Sequence, residues 1–173
     1  MPVIENPIHE DRLVFTFPVG AMSSKYDAWS HYRNQFNGAF GGTKAVDVVY
    51  AAVDTAWLIE IKDYRVNPRT KAIDLADEVA LKVRDTLAGL VSARLHANDA
   101  DEKRVADALL RKRHLRVVLH LETPQSSSRL RPKAIEPDKV LQKLKTLIRA
   151  IDPHPCVVDQ YTIEPGMSWV VQG

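Results

Sequence analysis

Cysteine is nearly absent from this chain of 173 residues, which contains only Cys156. A single thiol excludes an intramolecular disulfide framework and a zinc site built from several cysteines, and it suits a reducing compartment. Long apolar runs are missing too, so we expect no membrane span and no membrane partner. Residues 1–11 carry three acidic side chains and no apolar run, which is unlike a secretory signal. We therefore expect a cytoplasmic protein.

Net charge is also small, because 24 Lys and Arg oppose 22 Asp and Glu. Hydrophobic residues make up 45% of the chain, enough for a packed core, and the length predicts a single domain over 1–173. The charge is unevenly spread: residues 1–110 hold 13 basic and 16 acidic side chains, whereas residues 111–173 hold 11 and 6. A basic C-terminal part over 111–173 is typical of a protein that binds a polyanion, although solvated surface charge gives the same pattern.

Signature motifs of several enzyme classes are missing. The sequence has no Gly-x-x-x-x-Gly-Lys loop, no dinucleotide fingerprint, no His-Glu-x-x-His pair and no Gly-x-Ser-x-Gly elbow. Its six histidines are scattered without the spacing of metal ligands. These absences argue against P-loop, dinucleotide-dependent, zinc-peptidase and serine-hydrolase chemistry.

Apolar periodicity predicts an α/β fold with a central mixed β-sheet flanked by helices. Helical spacing covers residues 24–38, 74–96, about 101–113 and 138–151. Strand-like patterns cover residues 13–17, 46–50, 56–64, 115–122, 156–163 and 168–171. The short connection between 46–50 and 56–64 predicts an antiparallel hairpin.

Charged residues interrupt the apolar strands of this hairpin. Glu60 and Lys62 share one strand face, and Asp47 on the neighbouring strand can lie beside Glu60. Two close carboxylates raise each other's pKa, and a hard cation such as Mg²⁺ relieves the repulsion. Lys62 would then orient a water and stabilise charge at a phosphorus atom. An ordinary amphipathic strand with a solvated Glu/Lys face would show the same pattern.

This order, Asp on the first hairpin strand, Glu-x-Lys on the second and a helix on either side, resembles the PD-(D/E)XK phosphodiesterase (restriction endonuclease-like) superfamily over about residues 23–122. The resemblance implies an αββαβ core and Mg²⁺-dependent hydrolysis of DNA, with Mn²⁺ as a possible substitute and RNA left open. It implies catalytic roles for Asp47, Glu60 and Lys62. It also implies metal ligation by Asp47, Glu60 and the backbone carbonyl of Ile61. The expected enzyme is an endo- or exodeoxyribonuclease.

Two other functions fit the same residues. One is a non-catalytic nucleic-acid-binding or assembly subunit that retains the nuclease fold, and the other is a regulatory domain whose acidic hairpin is only a surface. Phosphate-backbone contacts need positive charge. Our candidates for them are Arg111, Lys112, Arg113, Arg129, Arg131 and Lys133. Cutting both strands of DNA takes two copies, so we expect a homodimer or a subunit of a larger nucleic-acid-processing complex.

Polar residues on the flanking helices have simpler interpretations. Asp27 is a further acidic candidate for the site, but its position three residues after Ser24 favours a capping box at a helix start. Glu78, Lys82 and Asp85 follow one another at helical spacing, where they could line the site. We interpret them as helix-surface ion pairs.

Overall fold

The computed structural model describes residues 2–124 and 135–173. These residues form an α/β fold in which a five-stranded mixed sheet lies between a layer of helices and a second sheet of three strands. The expected α/β class, with a mixed sheet and flanking helices, is confirmed. Among the helices described, none combines the length and the apolar character needed to cross a bilayer.

The five-stranded sheet carries the residues singled out in the sequence. Its strands, in spatial order, are β3 (Met22–Lys25), β4 (Val48–Ala51), β5 (Thr55–Asp63), β6 (His114–Glu122) and β7 (Cys156–Val158). The pairs β3–β4 and β4–β5 are antiparallel, which confirms the expected hairpin, whereas β5–β6 and β6–β7 are parallel. Strand β5 is central and covered on both faces, so even its charged residue Glu60 is buried.

Three helices cover one face of this sheet: α1 (Leu75–His96), α2 (Ala100–Leu110) and α3 (Pro137–Leu147). Asp74 and Asp99 begin the first two, because each carboxylate accepts hydrogen bonds from backbone N–H groups two and three residues further on. Buried aliphatic side chains of α1 pack on alternate residues of β4, β5 and β6. This packing holds one face of α1 directly above Glu60.

The opposite face of the five-stranded sheet packs against a second, smaller sheet. Strands β1 (Ile8–Glu10), β2 (Leu13–Thr16) and β8 (Val170–Gln172) form this three-stranded antiparallel sheet. Trp57, Ile59 and Ile61 of β5 point into the apolar layer between the two sheets, beside residues such as Phe15 and Trp169. Residues 57, 59 and 61 therefore face this layer, while 58, 60 and 62 face the helices.

The prediction of a helix over residues 24–38 is wrong. Residues Met22–Lys25 form strand β3, and only short helical turns follow. Ser24 does not cap a helix: it lies opposite Val49, and its hydroxyl donates to the Val3 carbonyl and accepts from the Trp29 indole. The free edge of β4 explains the difference, because backbone pairing with β3 satisfies that edge. The strand expected over 156–163 is also shorter, since it ends at Val158.

Gly89 of α1 lies against two aromatic side chains from the turns after β3. A Cβ atom there would overlap the Tyr26 hydroxyl and lie 3.2 Å from the Phe36 ring. We expect Gly89→Ala to lower the free energy of unfolding by about 1–3 kcal/mol despite the better helix propensity of alanine. Urea denaturation measures the change. Gly38→Ala is the control, because a Cβ at Gly38 meets nothing within 4 Å. Stabilisation by Gly89→Ala would show that the contact with Tyr26 is absent.

Candidate functional site

Asp47, Glu60 and Lys62 come together at the end of the β4–β5 hairpin. Asp47 directly precedes β4, and its Oδ2 atom accepts a hydrogen bond of 2.7 Å from the backbone N–H of Ile61. This bond fixes the Asp47 carboxylate beside the neighbouring residue Glu60. The N–H and C=O of one strand residue point to the same side, so the Ile61 carbonyl faces Asp47 as well.

A second lysine, Lys82 of α1, completes the group. Lys62 Nζ lies 2.5 Å and Lys82 Nζ 2.6 Å from the same oxygen, Glu60 Oε1. Lys82 Nζ is also 3.8 Å from Asp47 Oδ1. We call these four residues, Asp47, Glu60, Lys62 and Lys82, the carboxylate–lysine cluster. It joins the hairpin to the covering helix by ion pairs.

Burial changes the proton affinity of the cluster. The Glu60 side chain is 0% exposed, which excludes the solvated strand face that the sequence also allowed. This burial, together with the Asp47 charge, raises the pKa of Glu60 to about 7, and the two lysines act in the opposite direction. Burial alone would lower the pKa of Lys62, but the carboxylates of Glu60 and Asp47 outweigh it and raise that pKa.

An open pocket of about 300 Å³ adjoins the cluster. Its lining residues are Asp27, Tyr32, Thr43, Lys44, Ala45, Asp47 and Lys82. Burial and the nearby Asp47 raise the pKa of Asp27. Asp27 Oδ1 and Glu60 Oε2 are both buried without a hydrogen-bond partner among the described residues. Asp27 therefore belongs to the site, and the capping box that we preferred for it does not form.

Lys82 and Asp27 are the site residues that sequence reasoning set aside. Lys82 lies three residues after the buried Val79, so it shares the helix face that meets the sheet. That position was the available signal against a plain surface ion pair. Glu78 does form ion pairs, but it is buried and pairs with Arg69 and Lys71 from the preceding loop. The expected surface pairs within α1 are thus wrong for Glu78 and Lys82.

The predicted phosphate-binding residues lie elsewhere. Arg111, Lys112 and Arg113 precede β6, whose first residue pairs with Thr55 at the start of β5. Glu60 is five residues further along, or about 17 Å at 3.3 Å per residue. The structure therefore does not bring these three side chains to the cluster. Arg129, Arg131 and Lys133 lie outside the described residues.

Cation binding at the cluster would depend on carboxylates. Within residues 2–124 and 135–173, no group of three or more His, Cys, Asp or Glu side chains is placed to hold a metal ion. The ammonium groups of Lys62 and Lys82 both contact Glu60 Oε1. A cation would therefore compete with these ion pairs for Glu60, although Glu60 Oε2 has no hydrogen-bond partner among the described residues.

Comparison with known proteins gives one similarity. No protein-family model matches the chain, and no solved structure matches it. One curated protein, from Neisseria meningitidis serogroup A / serotype 4A (strain DSM 15465 / Z2491), is 36% identical over 155 aligned positions. That relative is a cysteine--tRNA ligase. The alignment covers 72% of this chain and 22% of the ligase, so the chain spans about a fifth of the relative's length.

This similarity corrects the function that we expected from the sequence. The prediction of a Mg²⁺-dependent DNA nuclease is wrong, because the chain is similar to part of a tRNA ligase and not to a hydrolase of DNA. The broader expectation of a relation to an enzyme is supported, because the chain is similar to part of one. Proximity of a lysine to two carboxylates does not by itself specify hydrolysis, since the same arrangement can bind a phosphate group without cleaving it.

The pKa of Glu60 gives a test of the cluster. Its raised value means that the folded protein holds a proton that the unfolded chain has lost between pH 4.5 and about 7. We expect this group to make the free energy of unfolding fall by about 3 kcal/mol as the pH rises through that interval. Glu60→Gln should remove this dependence. The measurement is urea denaturation of both proteins across the interval.

Glu78→Gln is the matched control. Burial would raise the pKa of Glu78, but hydrogen bonds from Lys71 and Arg69 lower it to about 2. Its contribution is therefore fully present above pH 4.5 and is lost progressively as the pH falls from there to about 2. The difference between wild type and Glu78→Gln should stay constant from pH 4.5 to 7. An equally constant difference for Glu60→Gln would contradict the raised pKa.

Proposed function

We propose that this chain is a tRNA-binding module that works within or beside an aminoacyl-tRNA ligase. The observation that carries the proposal is the 36% identity to part of a cysteine--tRNA ligase. The excess of basic over acidic residues across 111–173 suits a polyanionic partner. Binding to tRNA also agrees with the expected cytoplasmic location, which stays a proposal.

The pocket beside the carboxylate–lysine cluster is the place we propose for an RNA phosphate. Lys82 lines this pocket and is held in position by Glu60, while Lys44 lines it from an exposed position. Lysine ammonium groups bind phosphate oxygens by charge-assisted hydrogen bonds. Asp27 and Asp47 lie in the same pocket and repel a phosphate unless a cation neutralises them.

Mg²⁺ is the cation we propose for this role, with Mn²⁺ as a substitute. Mg²⁺ needs only one or two carboxylates because it keeps several waters, and the Oε2 atom of Glu60, unpartnered among the described residues, offers one of them. The family resemblance implied Asp47 and the Ile61 carbonyl as the other ligands. When bound, Mg²⁺ would supply the positive charge that offsets the carboxylates beside a phosphate. The residues of the chain then position the phosphate, with Lys82 donating to it from α1.

Binding of tRNA is the first test. We expect a fluorescently labelled tRNA transcript to bind more tightly than duplex DNA with the same number of phosphates. Lys82→Gln should weaken tRNA binding and reduce the slope of log affinity against log salt by about 1, as expected for one lost phosphate contact. Fluorescence anisotropy at several salt concentrations measures both quantities.

Lys103→Gln is the control for this test, because Lys103 is exposed on α2 and does not line the pocket. Lys44→Gln is a second test variant: Lys44 is exposed, so removing its charge leaves the core intact. Equal affinity for tRNA and duplex DNA, together with unchanged salt slopes in Lys82→Gln and Lys44→Gln, would contradict the proposed function.

Addition of Mg²⁺ should raise the Tm, and more at pH 8 than at pH 6. A ligand bound by the folded state alone stabilises it, and Glu60, with a pKa of about 7, must lose its proton to bind a cation. Asp47→Asn should abolish the shift, whereas Asp54→Asn, in the exposed turn before β5, should retain it. A Tm increase of equal size in Asp47→Asn and wild type would refute the cation site.

The resemblance to the restriction endonuclease-like core also stays a proposal, and it concerns the fold only. It rests on the order β4, β5, α1 and β6, with β4 antiparallel and β6 parallel to β5. The helix that begins the family's core is replaced here by strand β3 and short turns. A homodimer, or a place in a larger nucleic-acid-processing complex, is likewise a proposal.

A further inference from the structure

An aromatic side chain extends into solvent close to the pocket. Phe40 is 91% exposed and has a backbone φ of +55°, a conformation that bulky residues rarely adopt. Gly38, Gly41 and Gly42 surround it, and the last two also have positive φ. We call residues 38–42 the glycine loop. Its conformation leaves the Phe40 ring largely in solvent, with an edge-to-face contact to the buried Phe36 ring at 6.5 Å between centroids.

The base of the glycine loop is held by hydrogen bonds. The Gly42 N–H donates to the Ala39 carbonyl at 2.9 Å, and the Thr43 N–H donates to the Asn37 carbonyl at 2.8 Å. The Tyr32 hydroxyl donates to the Thr43 carbonyl at 3.1 Å. The loop is therefore anchored at Thr43, with Phe40 at its tip.

This anchor also belongs to the pocket. Thr43 and Lys44 both line it, and Phe40 lies three residues before Thr43, within about 11 Å even for an extended chain. At a rise of about 3.4 Å per stacked nucleotide, that distance is spanned by about three nucleotides. A strand with one phosphate in the pocket can therefore bring a nearby base to Phe40.

We propose that Phe40 stacks on an unpaired base of an RNA whose phosphate lies in the pocket. This inference rests on the proposed function and specifies its substrate class: RNA with a single-stranded segment. A base offers its flat face to an aromatic ring only when it is unpaired and unstacked from its neighbours. A protein partner fits the loop less well, because a single ring among glycines provides far less than the roughly 800 Å² per partner of a stable interface.

Two RNA probes test the inference: a fluorescein-labelled single-stranded RNA and the same sequence in a blunt duplex. Phe40→Ala should weaken binding of the single strand about 5- to 150-fold and leave duplex binding unchanged. Phe40→Trp should retain single-strand binding. Val53→Ala is the control, since Val53 is 89% exposed in the turn between β4 and β5, at the other end of the hairpin from Asp47.

Phe40→Trp also gives a direct signal of stacking. The three tryptophans of the chain, Trp29, Trp57 and Trp169, are all buried, so an indole at position 40 would be the exposed one. Single-stranded RNA should quench its fluorescence and protect it from acrylamide, and duplex RNA should do neither. Absence of both effects at saturating single-stranded RNA would overturn the stacking.

The outcomes separate this inference from the proposed function. If wild-type protein binds neither tRNA nor single-stranded RNA, both are overturned. If it binds tRNA in a manner that depends on Lys82 but not on Phe40, the inference alone is overturned. An equal loss of single-strand and duplex affinity in Phe40→Ala would also overturn it, because stacking requires an unpaired base. An unchanged Tm for Phe40→Ala would show that the fold is intact.

Discussion

The Glu60 carboxylate lies fully buried in the central strand of the sheet, and the arrangement of the site depends on how its charge is balanced. An ionised carboxylate is tolerated in a protein interior only when cations and hydrogen bonds compensate it. Lys62 provides one ammonium group from the same strand, and Lys82 provides the other from α1. Because Lys82 comes from the helix, its ion pair with Glu60 adds to the apolar packing that holds this face of α1 on the sheet.

The molecule separates its charged features along the sheet. The carboxylate–lysine cluster and the pocket lie where β4 begins, whereas Arg111, Lys112 and Arg113 lie beside the start of β5. The separation of about 17 Å corresponds to about five stacked nucleotides. An RNA bound at the pocket would have to extend along the sheet to meet both regions. Exposed Lys44 and the glycine loop are the groups immediately available to it.

Local patterns predicted much of the fold. Apolar alternation indicated the strands of an α/β class, and a short turn indicated the hairpin. An Asp cap before a long apolar face marks helix α1. Strand β3 could not be predicted, because aromatic residues at helical spacing follow it from Tyr26 onwards, and only pairing with β4 makes residues 22–25 a strand. Assigning Lys82 and Asp27 to the site required knowledge of which helix and which turn lie beside the cluster. The error in the nuclease prediction became visible only by comparison with a relative, since acidic and basic side chains at a strand end are compatible with several activities on phosphate.

Cross-linking of RNA to the protein tests most directly where the RNA lies. A tRNA transcript containing 4-thiouridine would be irradiated in complex with the chain, and the linked peptides identified by mass spectrometry. We predict links to Thr43, Lys44 and the part of α1 around Lys82, which line the pocket, and to the glycine loop that precedes Thr43. Links confined to the region of Arg111, Lys112 and Arg113, with none beside the pocket, would contradict the assignment of the cluster as the RNA site.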